Sequence, residues 1–347
     1  MWKNLKYFIA FVAPVSAIVG FQLGGIGYFS AFIVGFVLIP VFEAIFKGNP
    51  NNLSEDQVIV QENAKFFDWY LYFNIPLVYT VLYLFFNVLK YKELTHLEYF
   101  GIVLSTGVIL GTSGINVAHE LGHRKGWFDQ LCAKLLLLPA LYTHFTIQHN
   151  QGHHKNVATD KDPATAKYGE LVYVFWIKSI FQNYLMAWRL SFKKQQNRNK
   201  IFGFFINEMF WLQILQVFYL VGIYYFFGIE VLVGSILAAL IGILLLETVN
   251  YIEHYGLMRI KISETRYEPV SYVHSWNSEH ELGRIFLFEL TRHSDHHFKS
   301  TRKYQVLRYF NKSPQLPYGY PTSILISLMP PLWFKIMNKR VRELSKN

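Results

Sequence analysis

Nine of the thirteen histidines in this chain fall into four tight groups, each at the end of an apolar stretch or in the polar segment just beyond it. The groups are His119-Glu-Leu-Gly-His123, His149-Asn-Gln-Gly-His153-His154, His254 within Asn250-Tyr-Ile-Glu-His-Tyr-Gly256, and His293-Ser-Asp-His296-His297. Imidazole is the commonest metal ligand among side chains. Nine rings exceed what one mononuclear site can use, so the pattern reads as a metal cluster held at a membrane surface.

The spacings say how the rings are aimed. His119 and His123 are four apart, which puts both on one face of a helix. The same letters spell H-E-x-x-H, the zinc-protease motif, and two histidines capping a membrane helix at the headgroups would look no different. His149, His153 and His154 (i, i+4, i+5) and His293, His296 and His297 (i, i+3, i+4) can each turn three rings to one side of a helix. The adjacent pairs His153-His154 and His296-His297 can splay to two neighbouring metals. His254 stands alone, and its position at a helix end beside Glu253 and Tyr255 makes it a ligand candidate.

Two, three, one and three imidazoles give two metals four or five ligands each and leave open positions, the mark of a reactive site. Imidazole suits iron, copper, zinc and nickel alike, so ligand type leaves the metal open. A ligating histidine needs its other ring nitrogen fixed by a carboxylate or carbonyl. Glu120, Asp162, Glu253 and Asp295 are near enough in sequence to do this, and His274, in Tyr272-Val-His-Ser-Trp-Asn277, can shape or hydrogen-bond the site. His96 is expected near the opposite membrane face and incidental.

Such ligands need rigid supports, and the composition supplies them. Of 347 residues, 52% are hydrophobic and 16% charged, against roughly 25% charged in soluble domains. A membrane span takes about 20 apolar residues. Six stretches qualify, at approximately 7–23, 26–46, 67–89, 97–118, 204–227 and 231–246. The first two are punctuated by Gly20, Gly24 and Gly25 and can form one broken hairpin. The expected fold is an all-α membrane protein: six transmembrane helices and a helical cytoplasmic cap (119–200 and 251–347) carrying the dinuclear site, with 1–347 as a single integral membrane domain. Within the cap, 131–147 contains Pro139 and reads as a short re-entrant or surface-lying helix, and 171–190 as an interfacial amphipathic helix. A polar connection at 47–65 contains the turn cluster Gly48-Asn-Pro-Asn-Asn52.

The net charge is +10, with basic residues crowded between Arg124 and Lys200 and in the C-terminal tail. The positive-inside rule places those segments, and the histidines with them, in the cytoplasm. Lys90 and Lys92 in the turn between the third and fourth spans dissent. A basic face also suits an acidic partner, and no nucleic-acid-binding motif is present. The single cysteine, Cys132, excludes intrachain disulfides and a fused four-cysteine iron carrier. No GxGxxG follows a strand, so no flavin or nicotinamide domain is evident. Electrons, where needed, come from another protein.

The histidine blocks resemble those of the membrane alkane 1-monooxygenases, within the wider family of histidine-rich di-iron desaturases and hydroxylases. The resemblance is carried by His119-Glu-Leu-Gly-His-Arg124, by His149-Asn-Gln-Gly-His-His154 leading into Val157-Ala-Thr-Asp-Lys-Asp-Pro163, by Asn250-Tyr-Ile-Glu-His-Tyr-Gly-Leu257 and by His293-Ser-Asp-His-His297. His274-Ser-Trp-Asn-Ser278 and Thr301-Arg-Lys-Tyr-Gln305 also look similar. It runs through most of residues 97–340. It implies two iron ions held by His119, His123, His149, His153, His154, His254, His293, His296 and His297. It further implies O2-dependent terminal hydroxylation of medium- or long-chain alkanes drawn from the bilayer, and rubredoxin as electron donor with its flavin reductase. The implied location is the bacterial inner membrane, with the site facing the cytoplasm. Gln148, Arg124 and Thr291 stand where the family usually has Glu, Lys and Gln, which bears on rate or substrate preference. The rivals are a desaturase or other hydroxylase on the same scaffold, an intramembrane zinc protease resting on His119-Glu120-x-x-His123, and a metal transporter. A transporter's ligands should line a path at mid-membrane.

Overall fold

The computed structural model describes residues 2–46, 48–194, 200–264 and 266–344. Lys47, at the start of the polar connection, and 195–199, in the basic segment before Lys200, lie outside them. The described residues are helical with irregular connections and contain no β-strand beyond two isolated bridges. Among the described residues six helices are long and apolar enough to cross a membrane: Asn4–Leu23, Gly25–Ile45, Phe66–Tyr91, His96–Gly122, Glu208–Phe227 and Ile229–His254.

The span boundaries follow from local chemistry. The first two spans are separate helices meeting at Gly24, and the fifth and sixth turn at Gly228. Both glycines have positive φ (79° and 94°), which costs glycine nothing and other residues strain. Thr95 opens the fourth span with a capping box: its hydroxyl accepts from Glu98 N–H and the Glu98 carboxylate accepts from Thr95 N–H at 3.0 Å. The fifth span begins at Glu208, not near Phe204, because the Asn207 side chain caps it by accepting from Met209 N–H at 2.8 Å. Lys200–Phe205 is a separate short helix. The sixth span continues past Leu246 and ends on His254, so a metal-ligand candidate terminates a 26-residue apolar rod. Large apolar side chains stay exposed along the spans, among them Val19, Phe218, Val221, Tyr225 and Phe226, which hydrocarbon accommodates and water does not. The chain is a multi-pass membrane protein.

The chain folds as two compact units. The first comprises Met1–Leu38, Lys65–Ile147 and Ala187–Leu246. It is a packed bundle in which Tyr70 donates to the Asn4 carbonyl (3.1 Å) and Tyr79 to the Leu135 carbonyl (3.0 Å). The short helix expected over 131–147 runs instead over Trp127–Leu137 and stops before Pro139, which lies in the turn that follows it. At the end of the fourth span Arg124 is held among Asp68 (2.8 Å), Glu120 (3.4 Å) and Asp129 (3.4 Å).

The second unit comprises Ile39–Ala64, Gln148–Met186 and Glu247–Asn347. Long polar connections take the place of bundle packing here. Arg284 and Arg292 both bind Glu279 and reach the Asn49 and Asn51 carbonyls, tying the 49–52 turn down. The amphipathic helix Pro330–Leu344 buries Trp333, Met337 and Val341, with Trp333 against Tyr251 and Tyr255. The helix expected over 171–190 is Val172–Lys193.

Candidate metal centre

Three elements of the second unit carry seven of the nine histidines. His254 ends the sixth-span helix. His149–His153 is a widened turn in which the His154 N–H bonds back to the His149 carbonyl, five residues earlier. Such π turns are frequent at functional sites. His293–Phe298 is a single short helix carrying the last triplet.

The rings sort into two groups. His153, His254, His293 and His297 are all buried, and one nitrogen of each lies within 4.8 Å of the others. Within this group His293 Nε2 is 2.9 Å from His297 Nε2 and 3.3 Å from His254 Nε2. Nitrogens of His149, His154 and His296 are likewise mutually within 4.8 Å, with His154 Nε2 at 3.0 Å from His149 Nε2 and 3.1 Å from His296 Nε2. The adjacent pairs divide between the groups: His153 and His297 face one way, His154 and His296 the other.

Other groups fix these rings from behind. Asp162, fully buried, accepts from His153 Nδ1 at 2.9 Å and from the Thr165 hydroxyl at 2.7 Å. That assigns the His153 proton to Nδ1 and leaves its Nε2 lone pair facing the group. Burial works against the Asp162 charge, but the neighbouring His153 and the two hydrogen bonds outweigh it, and its carboxyl is held below the usual range. Ser275 Oγ lies 3.5 Å from His254 Nδ1. Glu253 takes a different place. Its Oε1 accepts from the Tyr320 hydroxyl (2.8 Å) while its Oε2 is 3.2 Å from His293 Nε2, the nitrogen that faces His254 and His297. This carboxylate sits at the edge of the donor group rather than behind a ring.

The remaining candidates are placed as follows. His119 and His123 belong to the first unit, at the end of the fourth span, with ring centroids 4.9 Å apart. A widened turn at Leu110–Ile115 precedes them. Glu120 pairs with Arg124. Asp295 holds Arg302, the Arg308 backbone N–H (2.8 Å) and the Arg308 guanidinium (3.3 Å). The His274 ring accepts from Ser271 N–H at 3.0 Å and meets Glu268 at 3.1 Å. The sequence reading missed Thr165, Ser275 and Tyr320. Thr165 follows Asp162 by three residues, a local signal that was there to use. Tyr320 carries no signal of its own.

The donor set fits a metal. Two imidazole nitrogens about 3 Å apart repel through their lone pairs unless one carries its ring's N–H or a cation lies between them. A charged ring is unfavourable: burial, and then the charge of His293, His154, His153 and His254, keep His297 well below the usual histidine range. A neutral ring can turn one N–H to one neighbour, but His293 Nε2 and His154 Nε2 each face two nitrogens. Neutral buried rings with converging lone pairs are the ligand form of imidazole.

Residues 96–324 match the family model described as fatty acid desaturase. The chain is 35% identical over 344 residues to an alkane 1-monooxygenase of Ectopseudomonas oleovorans, covering 98% of this chain and 86% of that one. The chain belongs to the alkane 1-monooxygenase family. It is 36% identical over 319 residues to alkane 1-monooxygenase 1 of Pseudomonas aeruginosa, covering 90% and 83%. It is 26% identical over 340 residues to the xylene/toluene monooxygenase hydroxylase component of Pseudomonas putida, covering 97% and 88%. Like its family, the chain is an oxygenase with a histidine-rich metal centre, and its chemistry calls for an electron-transfer partner.

Proposed function

We propose that this monooxygenase hydroxylates the terminal carbon of medium- or long-chain alkanes at a di-iron centre. The balance is R–CH3 + O2 + two electrons + two protons giving R–CH2OH + H2O. Rubredoxin delivers the electrons and is re-reduced by a flavin reductase. The observation that carries this reading is the convergence of seven histidines in one unit of a chain related along nearly its whole length to alkane 1-monooxygenases.

His153, His254, His293 and His297 would hold one iron. His149, His154 and His296 would hold the other, and the family resemblance adds His119 and His123 to it. When bound, iron supplies the redox chemistry that activates O2 and breaks an unactivated C–H bond. The chain's own groups prepare that site. Asp162 keeps a proton on His153 Nδ1 and leaves its Nε2 free to face the metal. Tyr320 donates to Glu253 and fixes its carboxylate at the edge of the donor group. The hydrocarbon dissolves in the bilayer and reaches the site from among the spans. The excess of Lys and Arg in the segments after the fourth and sixth spans supports a cytoplasmic site in a bacterial inner membrane.

A desaturase reading is favoured by the fatty acid desaturase match. One assay separates the readings: metal quantification on the purified protein, then turnover of octane, hexadecane and an acyl lipid with reduced rubredoxin. The expected result is two irons per chain and 1-alkanols. Double bonds without alcohols would transfer the chain to the desaturases. One zinc per chain with peptide cleavage would make it a protease.

A further inference from the structure

The segment that follows the last histidine triplet is unusual in charge and in surface. From Phe298 to Lys312 it carries five basic residues, Lys299, Arg302, Lys303, Arg308 and Lys312, and no acidic one. Phe298, directly after His297, is 50% exposed. It joins an aromatic cluster in which Tyr272 and Phe310 stack at 4.9 Å and 11°, with Phe298 at 6.3 Å and 6.5 Å from them. The Arg308 guanidinium lies 5.0 Å from the Phe310 ring centre. Partly exposed aromatics beside arginine are the composition of a protein-binding surface.

This surface is connected to the metal centre by very little structure. Arg302 and Arg308 both bind the Asp295 carboxylate, and the Arg308 backbone N–H binds it as well. Asp295 is covalently next to His296, and Phe298 is next to His297. A redox group held against Phe298 and Arg308 would therefore touch residues that are bonded, or hydrogen-bonded through Asp295, to the chain neighbours of two ligand candidates. On another side the acidic helix Glu55–Asn63 approaches, with Gln305 donating to the Gln61 carbonyl at 3.1 Å. The basic patch thus has an acidic border, which would orient a partner of uneven charge.

We propose that the Phe298–Lys312 surface docks the acidic one-electron carrier that feeds the metal centre. The inference rests on the oxygenase reading and adds to it the place where the donor binds. Charge complementarity and closeness to the ligand helix favour a protein carrier over lipid, because anionic headgroups would satisfy the lysines but deliver no electrons.

The test uses full-length enzyme in nanodiscs and a rubredoxin as probe. One variant combines Lys299→Glu with Lys312→Glu. A second, Lys335→Glu with Lys339→Glu, makes the same change of net charge on the C-terminal helix. Initial rates are measured against rubredoxin concentration at two ionic strengths, in zwitterionic and in anionic nanodiscs. Turnover driven by a small chemical reductant is the reference for each variant. The expected result is a KM for rubredoxin about tenfold higher in the first variant only, with a weaker salt response and the rate at saturating rubredoxin within about twofold. An unchanged KM, or equal shifts in both variants, would overturn the proposal. So would a defect that follows lipid charge, which marks a membrane contact, or one shared in full with the chemical reductant, which marks damage to the fold. Rubredoxin affinity is also titrated without turnover. If no alcohol forms with any reductant, the hydroxylase reading fails, and this titration alone decides the docking surface.

Discussion

Replacing Asp162 tests whether the pocket sets the His153 proton. Its Oδ2 accepts from both His153 Nδ1 (2.9 Å) and Thr165 (2.7 Å), while its Oδ1 accepts from Ala164 N–H at 3.3 Å. In Asp162→Asn the amide oxygen can keep the Oδ2 place and both of those bonds. The amide nitrogen then meets the Ala164 N–H, and the negative charge that makes the His153 ring a better ligand is gone. In Asp162→Ala both bonds vanish and a buried ring N–H loses its acceptor. Losing such a supporting carboxylate costs roughly 10–100-fold in metal affinity, about 1.4–2.8 kcal/mol. Asn should fall at the tenfold end and Ala at the hundredfold end. The assay is iron per chain after graded chelator competition, with hydroxylation measured on the same samples. Both variants holding iron and turning over within about twofold of the unmodified enzyme would refute the reasoning. Ala retaining more iron than Asn would show that something other than Asp162 selects the tautomer.

Other substitutions read other parts of the structure. His254→Ala should abolish hydroxylation while the protein still inserts, checked by membrane fractionation beside the alcohol assay; full activity would remove His254 from the centre. A Cβ on Gly107 would stand 2.5 Å from the Ile241 side chain. Gly107→Ala should therefore lower stability in detergent by about 1–3 kcal/mol through overpacking, seen as a lower melting temperature, and an unchanged melt would mean the two spans can part freely. Burial lowers the His144 pKa from 6.5 to about 4. The unfolded chain therefore takes up this proton first as pH falls. Stability is intact above pH 6.5 and declines below it, by up to about 3 kcal/mol once pH reaches the folded value. Melting temperatures of His144→Asn and unmodified protein should differ in slope between pH 7 and 5, and parallel profiles would reject that assignment.

The spans were legible because length and apolarity alone define them. Their ends were not, because ends are set by single caps: Asn207 starts the fifth span four residues later than hydropathy does, and helical hydrogen bonding carries the sixth on to His254. The histidines were legible by type and spacing, since few other roles call for two such triplets. Their supports were legible only where chain proximity and pairing coincide, as with Asp162. Asp295 and Glu120 were expected beside histidines. Asp295 holds Arg302 and Arg308, and Glu120 pairs with Arg124, since a guanidinium is a strong carboxylate partner. Tyr320 lies 67 residues from Glu253 in sequence, and nothing local announces a phenol that will meet a buried carboxylate. The widened turn at His149–His153 was also hidden, since i, i+4, i+5 spacing fits an ordinary helix nearly as well.

These placements make metal removal a test of the whole centre. His293 Nε2 faces His297 and His254 at 2.9 and 3.3 Å, and His154 Nε2 faces His149 and His296 at 3.0 and 3.1 Å. Each pair can hold at most one shared proton, and burial opposes adding more. Chelation should therefore lower the melting temperature and loosen His149–His154 and His293–Phe298 first, detected as faster amide exchange in those two segments while Trp127–Leu137 keeps its protection. Restoring iron should reverse both effects, because metal binding to the folded form alone adds directly to its stability. Were chelated protein to melt at the same temperature with unchanged exchange, the rings would have to be satisfied by one another, and the case for a cation between them would be lost.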